Sequence, residues 1–254
     1  MYLTAQDGMR LHFDDRGSGP PVVMIHGAAG SGMSFDRLAA CLQGEFRVVT
    51  VDLRGLSRSD RVNAISPTAW CDDTLAIADS LGLGNFHLVG CSLGARVAAR
   101  ISRDNLGRVL SLSVDAPLLS VAQDANSSLN RRFEDLDNAS AVDLERWQRY
   151  HGDDWRGAVS FYGRARNDPD LQEHLTVRPW LVELVLPTLI TRGDIDDAVH
   201  PLAHCTEWHA AHPASWLWIE PGTGFSLTQQ RPQAYADIYR RFATQATQTA
   251  WSPS

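Results

Sequence analysis

The chain has 254 residues, 44% of them apolar and 21% charged, with a formal net charge of −7. That length suits one α/β domain with a sizeable core and a small insertion, and scattered basic residues exclude the clustered basic face of a nucleic-acid binder. No apolar run reaches the ~18 residues of a membrane span, and the N-terminus lacks a charged-then-apolar signal segment, so a cytoplasmic protein with no membrane partner is expected. Cys41, Cys71, Cys91 and Cys205 are widely spaced, which fits free buried thiols better than a disulfide framework or a zinc site.

In chain order, residues 3–5 and 10–14 flank Asp7-Gly8 and read as an opening hairpin. Gly17-Ser18-Gly19-Pro20-Pro21 breaks structure before an apolar strand over 22–25. Residues 34–42 and 67–81 have helical spacing of apolar positions, and each is followed by a glycine and a strand-like run, 47–51 and 86–89. A helix of small residues is expected over 95–101, then a strand over 110–115 and another beginning at Pro187. Strands alternating with helices argue for a mostly parallel, doubly wound sheet.

Residues 118–183 differ in character, with charged residues interleaved among Trp147, Tyr150, Trp155, Phe161, Tyr162 and Trp180. Helices with one wet face fit this pattern. Most of these aromatics are expected to pack between the insertion and the core, with one or two, Trp147 among them, lining a ligand pocket. The expected division is a first core part over 1–117, a helical cap over 118–183 and a second core part over 184–254.

The most informative motif is Gly90-Cys91-Ser92-Leu93-Gly94, set between an apolar strand and a small-residue helix. A G-x-S-x-G turn in that setting stands its serine at the tip of a sharp bend, with helix N–H groups aimed at any developing anion. Cys91 is expected to be a packing residue. With His26-Gly27-Ala28 after the first core strand, Asp52-Leu53-Arg54-Gly55 after the next, and Arg192-Gly193-Asp194 late in the chain, the ordered set resembles the α/β-hydrolase superfamily over nearly its whole length. The D-x-R-G-x-G-x-S turn departs from the family in one place, Ser57 standing for its second glycine, while Ser59 is retained. The resemblance implies Ser92 as nucleophile and the N–H groups of Ala28 and Leu93 as oxyanion donors, and it identifies 118–183 with the family's cap.

The family's acid falls on Asp196 by counting from Gly193 or on Asp197 by counting back from Pro201, and the second register is preferred. Asp115, after the preceding strand, is a third candidate that reads more readily as a cap or turn residue. The family's histidine should follow Pro221-Gly222-Thr223-Gly224, where the chain has Phe225. Either Phe225 stands on the histidine or the histidine is deleted before it. The nearest substitutes are His200, His204, His209, His212 and His26, each more often structural, so Ser92 Oγ is expected to lack an imidazole within about 2.6–3.2 Å.

Gly90 to Arg96 is also similar to the G-x-S-x-G-G-R of menaquinone-pathway lyases, in which the arginine helps hold a carboxylated substrate. His26, Arg96, Phe225, Asp115 and Trp147 are the candidate substrate contacts. No metal cluster, Rossmann glycine fingerprint or P-loop is visible, so no cofactor is expected. Losing one triad member costs several orders of magnitude in turnover but spares binding and oxyanion stabilisation. The expected function is therefore a non-hydrolytic enzyme (lyase, cyclase, isomerase or decarboxylase type) acting on a small carbonyl compound. A serine esterase or C–C bond hydrolase with a relocated base, and a non-catalytic receptor, are the alternatives; a homodimer is left open.

Overall fold

The computed structural model describes residues 1–119 and 123–248. Residues 120–122 of the expected cap and 249–254 of the expected second core part lie outside the described residues. Eight strands form one sheet: β1 (Tyr2–Thr4), β2 (Arg10–Arg16), β3 (Pro21–Ile25), β4 (Arg47–Val51), β5 (Phe86–Cys91), β6 (Val109–Asp115), β7 (Thr188–Gly193) and β8 (Trp216–Glu220). Their order is β1-β2-β4-β3-β5-β6-β7-β8. The opening hairpin pairs antiparallel with a positive-φ Gly8 in its turn, β2 lies antiparallel to β4, and every later pairing is parallel.

The helices are α1 (Asp36–Leu42), α2 (Ala69–Ser80), α3 (Leu93–Asp104), α4 (Gln123–Glu134), α5 (Ala141–His151), α6 (Trp155–Ala165), α7 (Pro169–His174), α8 (Leu202–Ala211), α9 (Leu227–Gln230) and α10 (Pro232–Gln248). The helical spacing over 34–42 resolves into a short 3-10 turn, Gly32–Phe35, followed by α1. Among the described residues no helix is long and apolar enough to cross a membrane.

Alternation along the central strands divides the core in two, as a sheet buried on both faces requires. Val23, Ile25, Val49 and Val51 face one apolar cluster, which includes α2 and α3 residues. Val22, Met24 and Val48 face the other, beneath α1 and α10. From β3 the chain first steps to β4 on one side and then to β5 on the other. The carboxyl ends of β3 and β5 therefore meet at a topological switch point, where a crevice opens.

Helices α4 to α7 occupy the stretch between β6 and β7. They have an aromatic centre of their own: Trp147 stacks on Trp155 with ring centroids 5.9 Å apart, and Phe133 meets Tyr162 edge-on at 4.8 Å. Ser57, which replaces the family glycine, keeps a left-handed backbone with φ 51°. Its hydroxyl donates to the Tyr150 carbonyl at 3.0 Å and its N–H donates to His151 Nδ1, also at 3.0 Å. His151 Nε2 in turn meets the carbonyl of Ala29 at 3.1 Å. One imidazole thus joins the end of α5 to two core loops, and burial lowers its pKa to about 4, which keeps it neutral.

Candidate active site

The bend at Ser92 is enforced by packing. Ser92 has φ 54° and ψ −111°, a strained backbone for a residue with a Cβ. Its N–H is held by the Asp115 carbonyl at 2.9 Å. A Cβ on Gly90 would lie 2.2 Å from the Gly94 carbonyl oxygen, and one on Gly94 would lie 2.0 Å from that of Ile25. The two motif glycines therefore let α3 seat directly on β5 and β3. Gly27 lies against the bend, where an added Cβ would be 3.4 Å from Ser92 Cβ. Ala28 and Leu93 line the cavity beside Ser92, and the Leu93 N–H, in the first turn of α3, has no intrahelical acceptor.

His200 corrects the expectation of a serine without an imidazole. Its Nε2 is 2.8 Å from Ser92 Oγ. His200 sits just before α8 on the loop after β7, is 8% exposed, and lies parallel to Phe225 with ring centroids 4.6 Å and planes 10° apart. Phe225 therefore does not replace the histidine's chemistry; it forms the wall against which a histidine from a different loop rests.

Asp197 stands behind His200, with Oδ1 3.5 Å from His200 Nδ1, longer than an ordinary hydrogen bond. The same oxygen accepts the N–H groups of Val199 at 2.9 Å and His200 at 2.7 Å, so the carboxylate also fixes the loop that presents the imidazole. Burial opposes the Asp197 charge, but His200 and these N–H donors outweigh it and lower its pKa to about 2. Arg192, fully buried, reaches both Asp196 Oδ1 and Asp197 Oδ2 at 3.2 Å. Asp196 accepts the Leu202 N–H at 2.7 Å, at the start of α8.

Three expected substrate contacts are placed elsewhere. Asp115 is fully buried and accepts from Thr191, from Ser226, and from the N–H groups of Leu227 and Thr228 at the start of α9. It is the anchor of the 223–228 loop: burial raises its pKa, and the hydrogen bonds donated to its oxygens by that loop act against the rise and satisfy the buried carboxyl. His26 is also fully buried: Nε2 accepts the Leu53 N–H at 3.1 Å and Nδ1 meets the Gly27 carbonyl at 2.8 Å, so both ring nitrogens are spent on holding loops. Trp147 is 0% exposed within the aromatic centre of α4 to α6. None of the three lines the cavity, whereas Arg96 and Phe225 do. Of the other candidate bases, His209 bonds Ser215 Oγ at 2.9 Å, and His204 and His212 are absent from the cavity lining.

The cavity over Ser92 has a volume of about 950 Å³ and takes its walls from the core loops and from α4 to α7. Sequence reasoning missed Arg132, Arg146, Arg166 and Gln172, which line it. The repeated arginines among the aromatics of 118–183 were the available signal. Among the described residues no group of three or more His, Cys, Asp or Glu side chains could hold a metal ion.

A mostly parallel sheet whose strands are joined by helices, with its serine bend at the switch point, defines a known fold class. An α/β hydrolase fold family model matches residues 20–126, and the chain has the α/β-hydrolase fold. The non-heme haloperoxidase of Rhodococcus erythropolis is 27% identical over 237 residues, covering 81% of this chain and 85% of the relative. A fluoroacetate dehalogenase of a Burkholderia species is 36% identical over 105 residues, 39% of this chain and 34% of that protein. Two Mycobacterium tuberculosis proteins of non-heme bromoperoxidase type match over 95 residues, and the chain spans only 36% of their length. Among solved structures, a thermophilic esterase from Thermogutta terrifontis superposes with a TM-score of 0.74 at 23% identity, covering 97% of this chain and 98% of that one. E-2-(acetamidomethylene)succinate hydrolase superposes with a TM-score of 0.75 at 19% identity, covering 96% and 98%. At these identities the two structures speak to the fold alone.

Proposed function

We propose that the chain is a serine hydrolase of ester-like carbonyl compounds in which His200 serves as the base. The observation that carries this reading is the 2.8 Å contact between Ser92 Oγ and His200 Nε2. The non-hydrolytic expectation rested on the lack of a base, and that premise falls with this contact. The curated relatives, a haloperoxidase and a dehalogenase among them, lend the lyase reading no support.

Ser92 Oγ attacks the substrate carbonyl while its proton passes to His200 Nε2. Asp197, 3.5 Å from Nδ1, favours the imidazolium that forms. The carbonyl oxygen becomes an oxyanion facing the Ala28 and Leu93 N–H groups. Collapse of the tetrahedral species expels the leaving group, which takes the proton from His200. Water then gives a proton to the same nitrogen as its hydroxyl attacks the acyl-serine carbon, and collapse returns the proton to Ser92 Oγ and releases the acid.

The test is turnover of an activated aryl ester together with labelling by a fluorophosphonate. Wild type should hydrolyse the ester and be labelled, and both should be lost in Ser92→Ala and in His200→Gln. Ester turnover that persists in Ser92→Ala would sink the reading.

A further inference from the structure

Among the described residues, the cavity above Ser92 carries more positive charge than its lining carboxylates answer. Arg96 on α3 is 9% exposed, and every acceptor it reaches is neutral: the Leu175 carbonyl at 2.8 Å, Gln172 Oε1 at 2.9 Å and the Gln172 carbonyl at 3.2 Å. Its charge sits in a desolvated place without a carboxylate among the described residues, and burial lowers its pKa to about 10. Arg166 at the end of α6 likewise donates to side-chain amides, those of Asn126 and Asn130. Arg132 and Arg146 share a single carboxylate, Asp143. The lining carboxylates, Asp196 and Asp197, are engaged by Arg192 and the His200 loop.

These charges converge. The Arg132 and Arg166 guanidiniums lie 5.8 and 5.9 Å from the centroid of the Phe133 ring, that ring meets Tyr162 edge-on at 4.8 Å, and Arg96 lines the same cavity. Neutral acceptors aim a guanidinium without cancelling it, which leaves N–H groups and charge for a ligand; planar guanidiniums suit carboxylate oxygens in particular. Guanidiniums gathered in this way repel one another, and an anion relieves that repulsion.

We propose that the corner formed by Arg96, Arg132 and Arg166 around Tyr162 binds a carboxylate group of the substrate, so that the ester cleaved at Ser92 is one half of a dicarboxylic acid. The substrate class rests on the Ser92–His200 reading, but the anion site itself does not. Two aryl esters with five-carbon acyl chains separate the two: p-nitrophenyl pentanoate and the p-nitrophenyl monoester of glutaric acid. Wild type should favour the acidic ester in kcat/KM by about tenfold or more, the size expected of a charge-assisted pair. Arg166→Gln and Arg132→Gln, on the partly exposed helices α6 and α4, should each cut that preference several-fold, while Arg241→Gln on α10 should leave it intact. Arg96→Gln also removes the bonds that tie α3 to Gln172 and Leu175, so the first two variants decide the matter.

Calorimetric titration with glutarate supplies the second arm. Hydrolysis of both esters with no acidic preference would overturn the carboxylate site and leave the hydrolase reading standing. No hydrolysis of either ester, with glutarate bound by wild type and weakened in Arg166→Gln, would overturn the hydrolase reading and leave the site standing. Absence of both the acidic preference and glutarate binding would overturn the proposal outright.

Discussion

The imidazole of His200 lies flat against the ring of Phe225, centroids 4.6 Å apart, while its Nε2 faces Ser92 Oγ at 2.8 Å. Stacking fixes the plane of the ring and leaves its edge for the serine. The position where the superfamily resemblance implies a histidine is thus a platform for one supplied from the loop after β7.

If Ser92 and His200 act as a unit, Ser92→Ala and His200→Gln should each lower kcat for an activated aryl ester by about 10³-fold or more. The double variant should be scarcely worse than either single one, because the second loss removes a group that no longer has a partner. Steady-state kinetics on the three proteins reads this directly; multiplicative losses would show that the two groups work independently.

Asp197 and Asp196 should part company. Asp197→Asn removes the charge behind His200 and one anchor of its loop, and kcat should fall by about tenfold to a hundredfold. Asp196→Asn mainly weakens the Leu202 N–H bond at the start of α8, with an expected cost of about 1 kcal/mol in stability and a smaller change in kcat. Asp115→Ala strands five donated bonds in the core. It should lower the melting temperature more than any of these substitutions.

Phe225→His tests the platform. With His200 in place, a second imidazole adds no new proton acceptor at Ser92, and kcat should fall or stay level rather than rise. In His200→Gln, adding Phe225→His restores an imidazole at the position implied by the superfamily resemblance and should recover about tenfold or more of the lost turnover. Failure of that recovery in a folded double variant would mean that Asp197 and Ser92 are aligned only for a ring arriving from the His200 side.

His151 should make stability depend on pH. Burial lowers its folded pKa from 6.5 to about 4, so below pH 6.5 the unfolded chain binds its proton more readily than the folded one. The contribution is complete above pH 6.5 and is lost as pH falls towards 4, amounting to at most about 3 kcal/mol. Urea unfolding at pH 7 and pH 4.5 should show a smaller pH effect in His151→Gln than in wild type. Equal slopes in the two proteins would dissociate His151 from the acid sensitivity.

Much of this protein was legible without coordinates because its constraints are local. Val22 to Ile25 alternates between two apolar faces, Gly90 and Gly94 permit the approach of α3 to the sheet, and Ser92 follows directly from that geometry. Spacing from Pro201 favoured Asp197 over Asp196, and Asp197 is the carboxylate that lies behind His200. The partner of Ser92 could not be read in this way. His200 is 108 positions away, and one histidine among several around the acid turn carries no mark of its direction. Only the fold of the 194–200 loop, pinned by Arg192 and Asp197, turns that ring onto Phe225 and towards the serine. Arg96 was marked in sequence by its place after the serine bend, but Arg166 reads as an ordinary helix arginine, and only the packing of α6 and α7 brings the two into one cavity. Backbone turns are set by residues a few positions apart, whereas a catalytic contact or a charge cluster is set by side chains that meet only after the chain has closed.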